Sequence, residues 1–258
     1  SAPFVYVQRG YGGQLGVLRQ IRLDLIGSFR YSPQRYALSA ADVYFCGNYG
    51  ACDPGELDDL TGYHWLSPLQ AQLFWTPTGP PQLVRRALPG ERWRHWVNGA
   101  VDGAAPFTGA SYDYLRGIGE VGVTRLFGTR YELASRGRLG LVADFGNVIP
   151  PQVRLYSGGV NTVRGVQQNL LGPKFLLVSP ERALELGCEL EPGGCPPGVT
   201  VGHDQVGVRP AGGEAVVELN LEGRVWLTRS VQGAAFADYG MLRRRLGGRG
   251  GGLFDSDA

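Results

Sequence analysis

Residues 131–146 read YELASRGRLGLVADFG, and the alternation in this stretch decides the fold. Leu133, Leu139, Leu141, Ala143 and Phe145 take odd positions, while Glu132, Arg136, Arg138 and Asp144 take even ones. Successive side chains of an extended strand point to opposite faces, so a period of two gathers the charges on one face and leaves the other apolar. Residues 216–227 follow the same rule, with Val217, Leu219, Leu221, Val225 and Leu227 against Glu218, Asn220, Glu222 and Arg224. In residues 20–31, Ile21, Leu23, Leu25, Gly27, Phe29 and Tyr31 oppose Arg22, Asp24, Ser28 and Arg30.

Extended outward, the pattern predicts nine strands, at about 3–9, 20–31, 36–46, 63–76, 92–102, 113–127, 131–146, 214–228 and 231–244. Alternation alone also fits a soluble β-sandwich, whose apolar face turns inward. Length separates the two: several of these strands run well beyond the usual ~5–6 residues and supply the ~9–11 that a membrane-spanning strand needs. The links also alternate, short at Ser32–Gln34, Gly128–Arg130 and Thr228–Ser230 and long at about 47–62, 103–112 and 147–213. Short periplasmic turns facing long outer loops are the pattern of outer-membrane barrels. Residues 78–91 break it, being long where a tight turn is expected. Tyr31, Tyr44, Trp65, Trp75, Trp93 and Trp96 fall near predicted strand ends, as an interfacial aromatic girdle would place them.

Composition removes other classes. The 258 residues contain 41 glycines without a three-residue period, so collagen is excluded. A net charge of +2 with no basic block argues against a nucleic-acid partner. No apolar run is long enough for a membrane-spanning helix, and no N-terminal targeting segment is visible. Four cysteines form two close pairs, Cys46/Cys52 and Cys188/Cys195, each in a Gly/Pro-rich stretch. Disulfide-closed loops in an oxidising compartment fit them better than zinc, because the spacings differ from the usual metal-ligand spacing and His64, His95 and His203 are scattered. With the short turns periplasmic, both pairs fall in long outer loops.

Two patterns suggest chemistry and fail. Gly117-Ile-Gly-Glu-Val-Gly122 matches a dinucleotide-binding spacing, but an extended stretch follows where a helix is required. Asp53, Glu56, Asp58 and Asp59 form an acidic stretch that reads as a solvated loop rather than a calcium site. No nucleophile elbow or paired histidine is present, so neither enzymatic activity nor a cofactor or metal is expected.

The sharpest motif is the segment from Arg154 to Val166, RLYSGGVNTVRGV. Its Gly158-Gly159 pair and Val163-Arg164-Gly165 tripeptide resemble the signature loop of the BamA/TamA superfamily, also called the bacterial surface antigen family. Val166 departs from that family's aromatic residue. A second signature, Phe-x-Asp-x-Gly, is matched by Phe236, Asp238 and Gly240, on the second predicted strand after the loop. The order and strand count agree. The resemblance implies a sixteen-stranded barrel, of which this chain would be a single partial domain holding roughly strands five to thirteen. The remaining strands and the periplasmic modules that usually precede the barrel would lie outside it. It also implies that the loop at about 147–213 folds back into the lumen.

A physical reason accompanies the resemblance. A guanidinium offers five donors in a rigid fork suited to a carboxylate, so Arg164 is expected to grip Asp238. Gly240 leaves room for approach, and Glu218 and Glu222, on the same face by parity, are secondary acceptors. The implied function is insertion of barrel proteins into the outer membrane, or export through it. Its partners would be the lipid bilayer, unfolded or exported outer-membrane protein substrates and accessory lipoproteins. The alternatives are a passive barrel, either a porin or an anchor displaying a fused domain, and a soluble β-sandwich binding module.

Overall fold

In the computed structural model, residues 6–40, 62–77, 93–128, 130–145, 149–178, 206–228 and 231–244 are described. The four cysteines, Tyr44, the acidic stretch from Asp53 to Asp59 and the whole 78–91 connection lie outside them. The strands are β1 (Tyr6–Gly12), β2 (Leu15–Arg22), β3 (Leu25–Tyr31), β4 (Gln34–Ala40), β5 (Tyr63–Leu66), β6 (Leu69–Trp75) and β7 (Trp93–Ala104). They continue with β8 (Tyr114–Phe127), β9 (Tyr131–Asp144), β10 (Lys174–Val178), β11 (Val206–Pro210), β12 (Ala215–Trp226) and β13 (Gln232–Arg243). One antiparallel sheet runs in the order β13-β12-β9-β8-β7-β6-β3-β2, and β1-β4-β5 form a second.

The second sheet continues the first. Gly12 pairs with Gln34 and Leu15 with Tyr31 in one register, and Gln34–Leu66 and Tyr31–Leu69 share another. The interruptions fall at one level: Gly13-Gln14, Ser32-Pro33 and Ser67-Pro68. Proline has no N–H to donate, so the ladder lapses there. Its carbonyl still works: Gly13 N donates to Pro33 O (2.9 Å) and Ser32 N to Pro68 O (3.1 Å). The pairs β1/β2, β3/β4 and β5/β6 are therefore each one wall strand.

This corrects the sequence reading. Ser32–Gln34 is not a turn, and the link lies at Leu23-Asp24, inside the predicted 20–31 strand. The described residues consequently hold eight wall strands, where nine were expected. Leu23 extends the apolar alternation through the turn although it is 85% exposed, which hides the reversal. Asp24 fixes the turn by accepting from Arg22 (Nε 3.0 Å, Nη2 2.7 Å) and from the Trp75 indole (2.9 Å), while its carbonyl accepts from Thr76 N (2.9 Å).

The two faces of the wall differ as the alternation requires. Val97, Val101, Val121, Leu139, Leu141, Leu219 and Leu221 are exposed on one side. The other carries cross-strand ion pairs: Asp102–Arg116 (2.9 Å), Glu120–Arg136 (2.9 Å), Arg138–Glu218 (3.1 Å) and Glu132–Arg224 (2.8 Å). A soluble sandwich would bury the apolar face. Here it is bare, as a surface solvated by hydrocarbon must be. At the end away from the short turns, the links 105–113 and 149–155 pack on the charged face. Tyr112, Ile149, Val153 and Leu155 meet Tyr36, Tyr114, Val142, Val216 and Leu242 there in a buried apolar cluster.

Two further expectations are settled. Trp75 and Trp93 sit at strand ends beside the turns, but Trp96 does not belong to a girdle. It lies on the inner face over Gly122, where an added Cβ would stand 2.3 Å from the indole Nε1. The Gly117–Gly122 spacing is part of strand β8, and no helix follows it.

Candidate functional site

After β9 the chain turns back over the inner face of the wall and holds itself there from its base upward. Leu155 and Gly213 form an antiparallel bridge (2.8 and 2.9 Å) that closes the loop at its neck. Arg154 is buried and ties the two legs, donating from Nε to Ile149 O (3.2 Å) and from Nη1 to Ala211 O (3.0 Å). The wall contributes Arg116, which donates to Val153 O (3.1 Å). Beyond the neck, β10 and β11 form a hairpin inside the predicted 147–213 loop.

The motif is a compact knot. Gly158 and Gly159 have φ of 107° and 105°, a region costly for residues with a Cβ. Gly158 N donates to Thr162 Oγ1 (2.9 Å), Thr162 N to Gly159 O (3.1 Å) and Gly159 N to Val166 O (2.9 Å). Gly165, with φ of 88°, makes the next reversal and leaves Arg164 at the tip. Val166 serves this turn through its carbonyl, which a valine supplies as well as an aromatic residue.

Arg164 meets the wall as the fork geometry predicts. Its Nε and Nη2 donate to the two carboxylate oxygens of Asp238, both at 2.7 Å, and its backbone N–H donates to Asp238 Oδ2 (2.9 Å). Nη1 donates to Glu222, and the guanidinium carbon lies 3.7 Å from the centroid of the Phe236 ring. Asp238's hydrogen bonds raise the Arg164 pKa above its ordinary value, outweighing the opposing effect of burial.

Of the two secondary acceptors, only Glu222 reaches Arg164. Glu218 is fully buried four residues along β12 and takes Arg138 (3.1 Å) instead, because Arg138 is its direct cross-strand partner. Gly240 does leave room, but for Val163 and Leu171, whose methyls would stand 2.4 and 2.7 Å from an added Cβ. Phe236, Asp238 and Gly240 thus supply a ring face, a carboxylate and a hollow along one strand face.

Three contributors escape motif reading. Asn220 pairs in register with Asp238, donates to its Oδ1 (2.9 Å) and also donates to Thr162 O. Arg136 grips the loop from the wall, donating to Asn161 O (2.9 Å) while held by Glu120. Parity put both on the inner face; what it could not supply was register. Arg154 belongs to the quoted segment, and no signal marked it as a tie. A pocket of about 320 Å³, lined in part by Trp96, Thr124, Arg136, Arg164 and Glu222, separates the loop from β8, β9 and β12, so one side of the clamp is open.

An antiparallel wall with a bare apolar exterior, a charged interior and an inward loop clamped to that interior defines a transmembrane β-barrel carrying a lumenal loop. Residues 5–247 match the Omp85 superfamily domain, and the chain belongs to that superfamily. Among solved structures, BamA from Haemophilus ducreyi lacking POTRA domains 1–3 is similar, with a TM-score of 0.63 and 15% identity. The similarity covers 93% of this chain and 42% of that one, so the chain spans under half the length of this structural relative. No curated protein matches.

Proposed function

We propose that this barrel serves the assembly of other proteins into the bacterial outer membrane, or their translocation through it, rather than passive diffusion or display. The single observation that carries the reading is the clamp. It holds the loop to the wall by a bidentate arginine on a carboxylate, backed by a second acid and an asparagine. Membership of the superfamily supports the same reading. Its partners would be the lipid bilayer, unfolded or exported outer-membrane proteins and accessory lipoproteins, with no nucleotide, cofactor or bond-making chemistry. The loop keeps the inner wall in shape while substrate strands pair at a lateral seam, an exposed edge being a template for added strands.

The test is Arg164→Ala in the intact protein. Substrate insertion or export should fall several-fold while the barrel still migrates as a folded, heat-modifiable species. Undiminished transport with a released loop would refute the role of the clamp, and a change in small-solute permeability alone would favour a passive barrel.

A further inference from the structure

Arg125 carries its charge on the outer face of the wall. Along β8, parity places it with Val121 and Val123 on the apolar outer face, and it pairs with Trp93 on β7 and Leu133 on β9. Charge on the lipid face of a barrel is least costly near the interface, and Arg125 is there. It lies two residues from Phe127, the last residue of β8, or roughly 7 Å of strand, and opposite Trp93, the first residue of β7.

The surroundings form a built site. The Arg125 guanidinium carbon stands 4.5 Å from the Trp93 ring centroid and 4.5 Å from that of Phe127. Both rings are about half exposed, as interfacial aromatics are. They fix the cation without neutralising it. The inner-face arginines of β7, β9 and β12 each have a carboxylate: Arg94 and Arg224 have Glu132, Arg136 has Glu120 and Arg138 has Glu218. Arg22, at the same end of the wall, has Asp24. Arg125 has no ion pair among the described residues.

We infer that Arg125, held between Trp93 and Phe127, binds the phosphate of a phospholipid headgroup at the short-turn end of the barrel. Phosphate is the anion found at this depth, and a guanidinium fork matches its oxygens. The acyl chains of the same molecule would lie along the apolar face formed by Val121, Val123 and Leu133. The inference rests on the transmembrane barrel fold and is independent of what the barrel transports.

The test uses the whole protein, purified in detergent, with native mass spectrometry counting retained dimyristoylphosphatidylglycerol across a lipid titration. Arg125→Gln should weaken retention about fivefold, the worth of one basic residue at a membrane surface. Arg22→Gln should leave it unchanged, and dimyristoylglycerol, which lacks the phosphate, should bind both proteins weakly. Equal retention by Arg125→Gln and the unaltered protein overturns the inference, as does a loss as large with Arg22→Gln. Displacement of the lipid by matched inorganic phosphate would also overturn it, marking a free-anion site. Should Arg125→Gln fail to fold, Phe127→Leu takes its place: at least twofold weaker retention is expected, and no change overturns the site. Heat-modifiable migration of the unaltered protein reports the barrel separately, so loss of the lipid site and loss of the barrel fold are distinguishable.

Discussion

Arg164 makes four hydrogen bonds to the wall, three of them to Asp238 and one to Glu222, and the two acids are not equivalent. Asp238 is shielded, its side chain being 3% exposed, and it accepts in a bidentate pair. Glu222 is more open and is already engaged by Arg224 at 2.5 Å, so losing Arg164 leaves it partnered. A double-mutant cycle of Arg164→Ala with Asp238→Ala should give a coupling of about 1–3 kcal/mol in urea unfolding from lipid vesicles. The cycle with Glu222→Gln should give under about 1 kcal/mol, in the range of open ion pairs. Equal couplings would mean that the loop is held by charge in general, not by the Asp238 fork. Arg164 and Asp238 were legible in the sequence because two motifs stood in the right order on a countable number of strands. Asn220 was not, since only the β12–β13 register sets it beside Asp238.

Among the elements, the hairpin at Leu23-Asp24 shows where pattern reading stops. Ser32-Pro33 carries turn residues and Leu23 an apolar one, yet the chain reverses at the leucine and runs straight on through the proline. Local turn chemistry lost to pairing: the strands on both sides kept the register across the proline, while Asp24 accepted three side-chain hydrogen bonds that close the true turn. The Arg22 hydrogen bonds, followed by that of the Trp75 indole, lower the Asp24 carboxyl to about 2. A depressed carboxylate adds stability that is fully present above its unfolded value and is lost as pH falls through the folded one. The hairpin should therefore stay closed at pH 4 and loosen towards pH 2. The Trp75 indole N–H resonance should titrate near about 2, and a midpoint near 4 would show that Asp24 is not held as described.

For the molecule as a whole, the fold class was legible because each face of the wall has its own solvent. The apolar exterior must meet hydrocarbon and the ion-pair ladder must meet water or the loop, so a period of two encodes both environments at once. Periodicity says nothing of how the loop is tied at its neck, because the Arg154 guanidinium donates to backbone carbonyls, and Leu155 and Gly213 pair through backbone groups, that only closure brings together. The two-solvent arrangement gives a last expectation. In a background with Cys46, Cys52, Cys188 and Cys195 changed to serine, Leu139→Cys and Leu219→Cys should resist a membrane-impermeant maleimide in vesicles and react once the protein is denatured. Ala134→Cys and Thr124→Cys line the pocket beneath the loop and should react in the folded protein. They should react several-fold faster when Arg164→Ala releases the loop, because the pocket then opens to bulk water. Reaction at Leu139→Cys and Leu219→Cys in intact vesicles would place the apolar face in water, and a wall with that face in water cannot be a membrane barrel.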